Sequence, residues 1–383
     1  MVQLSTLTVG LAALASVVLA HPGHDVKAEA AERAAFLRNN PIHSRGVSQC
    51  ISKLKARGVE DANVARRENA VQQLREKRGL NTDARYLKAR DLDSVLAKNH
   101  HSNLTHVNPS TDPAILFASE GTCVVQPEVT QGPYYIAGEL IRKNVVEDQQ
   151  GIPLYLDIQL IDTNTCNTMP NIYTDIWHCN ATGVYSGVVA NGNGNSNDTE
   201  NADNTFLRGI QPSDSDGVVH FESIFPGHYS GRAVHIHVVT YPANETRVLP
   251  NGTLAGIYDT HSSHVGQIFF DQDLITEVEK NTPYSTNTQE LTENSDDSIL
   301  ATEADTTDPF VEYVLLGDDV SDGIFAWISI AVNSTRDDFL SPEGYWTEEG
   351  AEVNDNFSMN MAGMGSLPPT SATATSSAVS TSA

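Results

Sequence analysis

Between residues 121 and 274 apolar and polar positions alternate in short runs broken by turn-forming residues, the period of β-strands. Leu154, Leu156, Ile158 and Leu160 share one face of a strand predicted over 154–161, which ends at the turn Asp162-Thr-Asn-Thr-Cys166. Further strands are expected over 172–177, 218–224 and 233–240, with Gln267-Ile-Phe-Phe270 continuing the set. Residues 310–316 and 324–332 read as closing strands around Gly317-Asp-Asp-Val-Ser-Asp-Gly323. Many short strands with frequent turns predict a mainly β fold with a β-sandwich core. Residues 191–204, rich in Gly and Asn, are expected as a polar surface loop. The acidic, Thr-rich stretch 282–308 is expected as an insertion or mobile excursion.

The N-terminal part follows a different pattern. Residues 26–97 are rich in Ala, Leu, Arg, Lys and Glu, and 28–37 and 46–87 have helical composition with few breakers. Lys77-Arg78-Gly79 is either a dibasic processing site or part of a solvated helix face. Ahead of this, an apolar run from Leu7 to Leu19 ends in Val18-Leu-Ala20, which reads as a secretory signal too short to span a bilayer, although it lacks a leading Lys or Arg. Asn-x-Ser/Thr sequons at Asn103, Asn180, Asn197, Asn244, Asn251, Asn333 and Asn356 agree with a secretory, extracellular route. Beyond Asp337 the chain turns Gly-, Met- and Ser-rich and then low in complexity. The expected organisation is a signal over 1–20, a basic helical segment over 21–120, the β-sandwich over 121–336 and a disordered Ser/Thr-rich tail over 337–383.

Charge narrows the partners. The net charge is −26, yet 16 of the 23 lysines and arginines lie between Lys27 and Lys98, so the β region is strongly acidic. Such a surface repels phosphates, which argues against nucleic acid and anionic membranes as partners. Cys50, Cys123, Cys166 and Cys179, in a chain read as secreted, allow three disulfide pairings. Cys166 and Cys179 flank a short turn between two strand patterns, which favours Cys166–Cys179 with Cys50–Cys123. No Cys-x-x-Cys pair suggests thiolate metal binding.

The candidate chemistry centres on Tyr229-Ser-Gly-Arg-Ala-Val-His235-Ile-His237. On a strand His235 and His237 point one way, and Val234, Ile236 and Val238 the other. They are either a metal-binding pair, with Tyr229 on the preceding turn as a third donor, or core histidines hydrogen-bonded to backbone. A second segment, Asp175-Ile-Trp-His-Cys-Asn-Ala-Thr-Gly-Val-Tyr185, offers another phenol after a strand and turn. Neutral phenol is a poor ligand, and only a strongly Lewis-acidic cation such as iron(III) holds it as phenolate near neutral pH.

With these residues in view, the chain resembles the intradiol ring-cleavage dioxygenases, the family of catechol 1,2-dioxygenase and protocatechuate 3,4-dioxygenase, in its secreted fungal form. The resemblance covers residues 123–274. It rests on Gly132-Pro-Tyr-Tyr135, Asp175-Ile-Trp-His178, Gly183-Val-Tyr-Ser186, Phe206-Leu-Arg-Gly209, Pro226-Gly-His-Tyr229, Arg232-x-x-His-Ile-His237 and Gln267-Ile-Phe-Phe270, in that order. It implies a β-sandwich holding non-haem iron(III) through Tyr185, Tyr229, His235 and His237, with Arg232 and Gln267 beside the substrate ring. Tyr135 either lines the substrate pocket or packs under the sheet edge. The family's Arg-Pro pair is Arg232-Ala233 here. The implied reaction opens a catechol-type ring between its hydroxyls with dioxygen, giving a muconate-type diacid. Tyr229, on a flexible turn, is the phenolate expected to leave when the diol binds, and Arg232 the cation that stabilises developing charge. His178, His220, His228, His261 and His264 are read as structural or rim residues.

Two other functions fit parts of the pattern. A non-catalytic secreted metal-binding or cell-wall protein would use the same fold, the acidic surface and the Ser/Thr tail. A copper monooxygenase would use His21 as its N-terminal residue after signal removal, but a helical pattern rather than a packed strand follows it.

Overall fold

The computed structural model describes residues 45–82, 123–124, 132–189, 193–194, 197–241, 248–254, 261–304, 308–347 and 350–354, with Ala31 alone. The expected signal over 1–20 and all of the chain beyond 354 lie outside these residues. So does the helix expected over 28–37, apart from Ala31.

The described chain is mainly β with four helices. Strands β1 (Cys123–Val124), β3 (Pro153–Asp162), β6 (Val218–Ile224), β10 (Glu312–Leu315) and β11 (Ile324–Val332) form one sheet. In it β3 lies between β6, antiparallel, and β11, parallel, while β10 and β1 pair with successive stretches of β11. The second sheet is fully antiparallel in the order β5 (Arg208–Pro212), β4 (Tyr173–Trp177), β7 (His235–Tyr241), β9 (His264–Phe269). Alternation decides what each face meets. Leu154, Leu156, Ile158 and Leu160 of β3 share one buried cluster with Ile324, Ala326, Ile328 and Ile330 of β11 and with Ile176, Ile236, Val238 and Ile268 of the second sheet. The predicted strands are therefore present, and the even-numbered face of β7 belongs to the core as expected.

Smaller pieces complete the frame: β2 (Ile136–Ala137), β8 (His261–Ser262), β12 (Asp338–Phe339), β13 (Gly344–Thr347) and β14 (Gly350–Val353). Strand β13 pairs with β2, and Leu340 is fully buried in the cluster that contains Tyr134, Tyr135 and Trp177. Ordered chain thus continues to residue 354, past the tail boundary expected at 337. Trp346, packed against that cluster, supplies apolar surface that the Gly/Met/Ser composition obscured.

The N-terminal helices are α1 (Arg45–Ala56) and α2 (Val59–Arg78). The single helical stretch read over 46–87 breaks at Gly58, which takes a left-handed φ of 73°, and α2 ends at Gly79, also left-handed at 68°. Lys77 and Arg78 lie in the last, exposed turn of α2. The buried stripe of α2 is unusually polar: Asn63, Val64, Arg67, Val71 and Arg75. It matches a polar outer face on the first sheet. Arg66 and Arg67 reach Asp157 of β3 at 2.9 and 3.5 Å, and Asn63 and Gln159 exchange amide hydrogen bonds of 2.7 and 3.0 Å. Burial opposes ionisation of Asp157, but Arg67 and Arg66 beside it hold the carboxyl below its usual range. Removing Asp157 would strip buried Arg67 of its nearest counter-charge, a loss on the order of 3–5 kcal/mol.

The disulfide is not the one expected. Cys50 of α1 is bonded to Cys166, while Cys179 is free and buried. Between Cys166 and Cys179 the chain crosses to the second sheet and runs the length of β4, so their closeness in sequence is not closeness in space. Cys179 instead donates its S–H to the Gly227 carbonyl at 3.2 Å. Non-reducing peptide mapping is predicted to recover Cys50 joined to Cys166. Replacing Cys50 by Ala should cost about 2–4 kcal/mol of stability, since the bridge closes a loop of 116 residues. A Cys166–Cys179 peptide, or an unchanged melting curve, would contradict this arrangement.

Candidate metal centre

The odd-numbered face of the second sheet carries the candidate site. Antiparallel register sets Trp177 of β4 opposite His237 of β7, and His237 opposite Gln267 of β9. The Trp177 indole stacks flat on His237, with centroids 4.7 Å apart and planes 4° from parallel. His235, two residues earlier, lies on the same face. Its Nδ1 is 2.6 Å from the Ala233 carbonyl, which can only accept, so Nδ1 carries the proton and Nε2 the lone pair. The two Nε2 atoms are 3.1 Å apart. Two imidazoles sharing one metal at about 2.1 Å each, at roughly a right angle, would bring their nitrogens about 3.0 Å apart.

Two turns bring the phenols to this pair. The Tyr229 hydroxyl is 3.4 Å from His235 Nε2. Tyr185 meets Tyr229 edge to face with centroids 5.6 Å apart, and His237 at 6.3 Å. Its hydroxyl is buried without a well-formed hydrogen bond and faces Tyr229. All four side chains are 1–4% exposed, so water screens the donors little. Burial pushes both phenols above their ordinary pKa, and Tyr229 pushes Tyr185 further, so without a cation both stay neutral. Among the described residues no group of three or more His, Cys, Asp and Glu converges. The buried cluster is of imidazoles with phenols, which fits a hard, strongly Lewis-acidic ion and gives the Tyr185 oxygen a partner.

The turns are braced against each other and from outside. Gly183, with φ +80°, lets the Tyr185 turn touch the Tyr229 turn: a Cβ there would stand 2.2 Å from the His228 carbonyl oxygen. Asn193 accepts from the Tyr185 N–H at 2.7 Å and, with Asn201, donates to the Tyr185 and Val188 carbonyls. The loop expected on the surface is therefore partly interior, with both asparagines buried. Arg208, opposite Trp177, donates to the Ser186 carbonyl at 3.1 and 2.8 Å through Nε and Nη2. Glu139, 3.7 Å from Arg208, is pushed up to about 7 by burial against the pull of that arginine.

The stretch expected as a mobile excursion does most of the outer bracing. Its described residues form turns, two short 3-10 helices and helix α4 (Ser298–Ala304), after the short α3 (Gln272–Val278). Asn287 donates to the His228 carbonyl at 2.7 Å, Thr292 accepts from the Gly231 N–H at 2.7 Å, and His228 contacts Glu279 and the Gln289 carbonyl. The turn carrying Tyr229, expected to be flexible, is thus fixed in its backbone. Asp297 completes the bracing at Arg232, with Oδ2 2.9 Å from Nε.

Arg232 also donates to Gln267 Oε1 at 2.6 Å, so the two residues expected beside a substrate ring form one unit. Tyr135 stands apart. Its hydroxyl is 2.9 Å from that of Tyr241, which donates to Asp175 at 2.7 Å, and its ring tilts onto Trp177. Its neighbour Tyr134 stacks on Tyr185 at 4.5 Å and holds a buried hydroxyl without a hydrogen-bond partner. Tyr134 was missed because adjacent tyrosines in Gly132-Pro-Tyr-Tyr135 carry no mark of which turns inward. Of the other histidines, His178 bonds the Cys179 carbonyl and Ser223, and burial lowers it to about 4; His220 lies 3.7 Å from Asp157 and His261 2.6 Å from Asp337; His264, expected on a rim, is instead buried at the start of β9.

No family model matches the chain, and no curated protein matches it. Solved structures do. The chain is similar to intradiol ring-cleavage dioxygenases. That of Tetranychus urticae is 29% identical over 56% of this chain and 97% of its own, with a TM-score of 0.45. Hydroxyquinol 1,2-dioxygenase from Pseudomonas putida DLL-E4 is 16% identical over 55% of this chain and 66% of its own, at 0.35. Catechol 1,2-dioxygenase from Pseudomonas arvilla C-1 is 17% identical over 56% and 63%, at 0.33.

The contact between the two tyrosine turns can be tested directly. Gly183→Ala is predicted to lose stability, with about 1–2 kcal/mol from the left-handed backbone alone and more from the clash. Thermal denaturation reads the loss, and wild-type melting would contradict the bracing described.

Proposed function

We propose that this protein is an extracellular non-haem iron(III) intradiol dioxygenase on a β-sandwich, opening catechol-type rings between their two hydroxyls with dioxygen to give muconate-type diacids. The observation that carries the reading is the buried meeting of His235, His237, Tyr185 and Tyr229, drawn from two separate segments of chain. Those four residues would hold the iron. Bound there, iron(III) supplies the Lewis acidity that gathers a diol as its dianion and makes the ring carbons reactive toward dioxygen.

The protein's own groups do the rest. Tyr229 is the base for one diol proton: its phenolate oxygen accepts it and the neutral phenol turns aside by side-chain rotation, because its turn is braced. Tyr185, stacked under Tyr134 and tied down at Ser186 and Asn193, keeps its place. Arg232, held by Gln267 and Asp297, presents positive charge where the opening ring gathers negative charge. Trp177 and Tyr134 keep water from the donors. The Cys50–Cys166 bridge supports an oxidising, extracellular setting, as do the sequons and the leading apolar run.

Oxygen uptake across a panel of catechol, hydroxyquinol, protocatechuate and larger polyphenol-derived catechols tests the reading, with isotopically labelled dioxygen and mass analysis of the product. The expected result is uptake of one dioxygen per ring and both labelled atoms in the diacid. An iron-loaded protein that consumes no oxygen with any catechol would favour the non-catalytic metal-binding reading.

A further inference from the structure

We propose that Asp297 is the positioning residue of the centre: one carboxylate, supplied by the segment after β9, sets both Arg232 and the ring of His235. The inference rests on the dioxygenase reading for its kinetic readouts, but its geometry does not depend on that reading. Asp297 is 1% exposed and accepts with both oxygens. Oδ2 takes the Arg232 Nε–H at 2.9 Å and the Ala233 N–H at 2.8 Å. Oδ1 takes the N–H groups of Ile299 and Leu300 at 2.7 and 3.1 Å, which ties the carboxylate to the start of α4.

The Ala233 backbone carries the effect onward: its N–H, in the peptide group shared with Arg232, is held by Asp297, and its carbonyl, in the next peptide group, accepts the His235 Nδ1–H at 2.6 Å. That bond orients the imidazole and leaves the Nε2 lone pair facing His237. A hydrogen-bond partner on the far nitrogen of a metal-binding imidazole fixes its tautomer and raises its basicity. Here the partner is a backbone carbonyl, and the carboxylate acts one peptide away. Along the other branch Asp297 grips one edge of the Arg232 guanidinium, whose Nη2 is bound to Gln267 opposite His237. A single side chain outside the ring of donors therefore sets the base-side geometry of one ligand and the aim of the Arg232 guanidinium.

The test uses the full-length protein with Asp297→Asn, Arg232→Gln and the double variant. Asp297→Ser, whose hydroxyl can still cap α4, serves if the Asn variant does not fold. In iron-free protein, nitrogen-15 histidine NMR is expected to find wild-type His235 as a single Nδ1–H tautomer and the Asp297 variants as a mixture. In iron-loaded protein, kcat with catechol should fall about 10–100-fold while KM changes less than about threefold. The double variant should be no worse than the poorer single variant within about twofold, because both changes break one unit. Unchanged His235 tautomers, wild-type kcat, or losses that multiply in the double variant would each overturn the proposal. If wild-type protein consumes no oxygen, the dioxygenase reading fails and the tautomer measurement alone decides the role of Asp297.

Discussion

Two imidazoles and two phenols brought together out of water are an arrangement that a folded chain does not keep without compensation. Each phenol is buried, and burial drives it toward the neutral form, while each is a useful donor only as phenolate. A cation at their meeting point reverses that preference, converting an electrostatic cost into a bond. Most of the surrounding architecture serves to hold this meeting in place. Alternation along β7 aims the two histidines, Trp177 backs one of them, and turns pressed together at Gly183 supply the two tyrosines.

The scaffold divides its work between two sheets. The second sheet gives one face to the shared core and the other to the site. The first gives one face to the core and the other to a helical head, joined through Asp157, Gln159 and the Cys50–Cys166 bridge. That head interface joins apolar contacts, Val64 and Val71 against Leu316, Phe325 and Trp327, to the polar ones that the arginines on the buried stripe of α2 require. The basic character of the head, set against an acidic β region, is in part the means by which it docks.

Period-two patterning made the strands and the two faces of β7 legible, because alternation is a local property. The ordered motifs made the four side chains that meet at the candidate site legible as a set. What stayed hidden depended on contacts between distant segments. Cys166 and Cys179 looked like neighbours, yet β4 carries them apart into different sheets. Residues 282–308 looked mobile because they are polar, but their polar groups are bonded to the backbone that carries Tyr229 and to Arg232. Asn193 and Asn201 were hidden in the same way, since a buried asparagine clamping backbone has the same composition as one on a surface loop. Between Tyr134 and Tyr135 the sequence offered no means of choosing, because only the turn geometry sets which ring stacks on Tyr185.

The central claim is that both tyrosines and both histidines bind one iron(III). Resonance Raman spectroscopy of the iron-loaded protein, excited in its visible absorption band, tests it most directly. The account predicts tyrosinate vibrations from a reddish protein, with Tyr185→Phe and Tyr229→Phe each removing one of two distinct phenolate contributions. A colourless iron-loaded protein, or a spectrum that neither substitution alters, would contradict it.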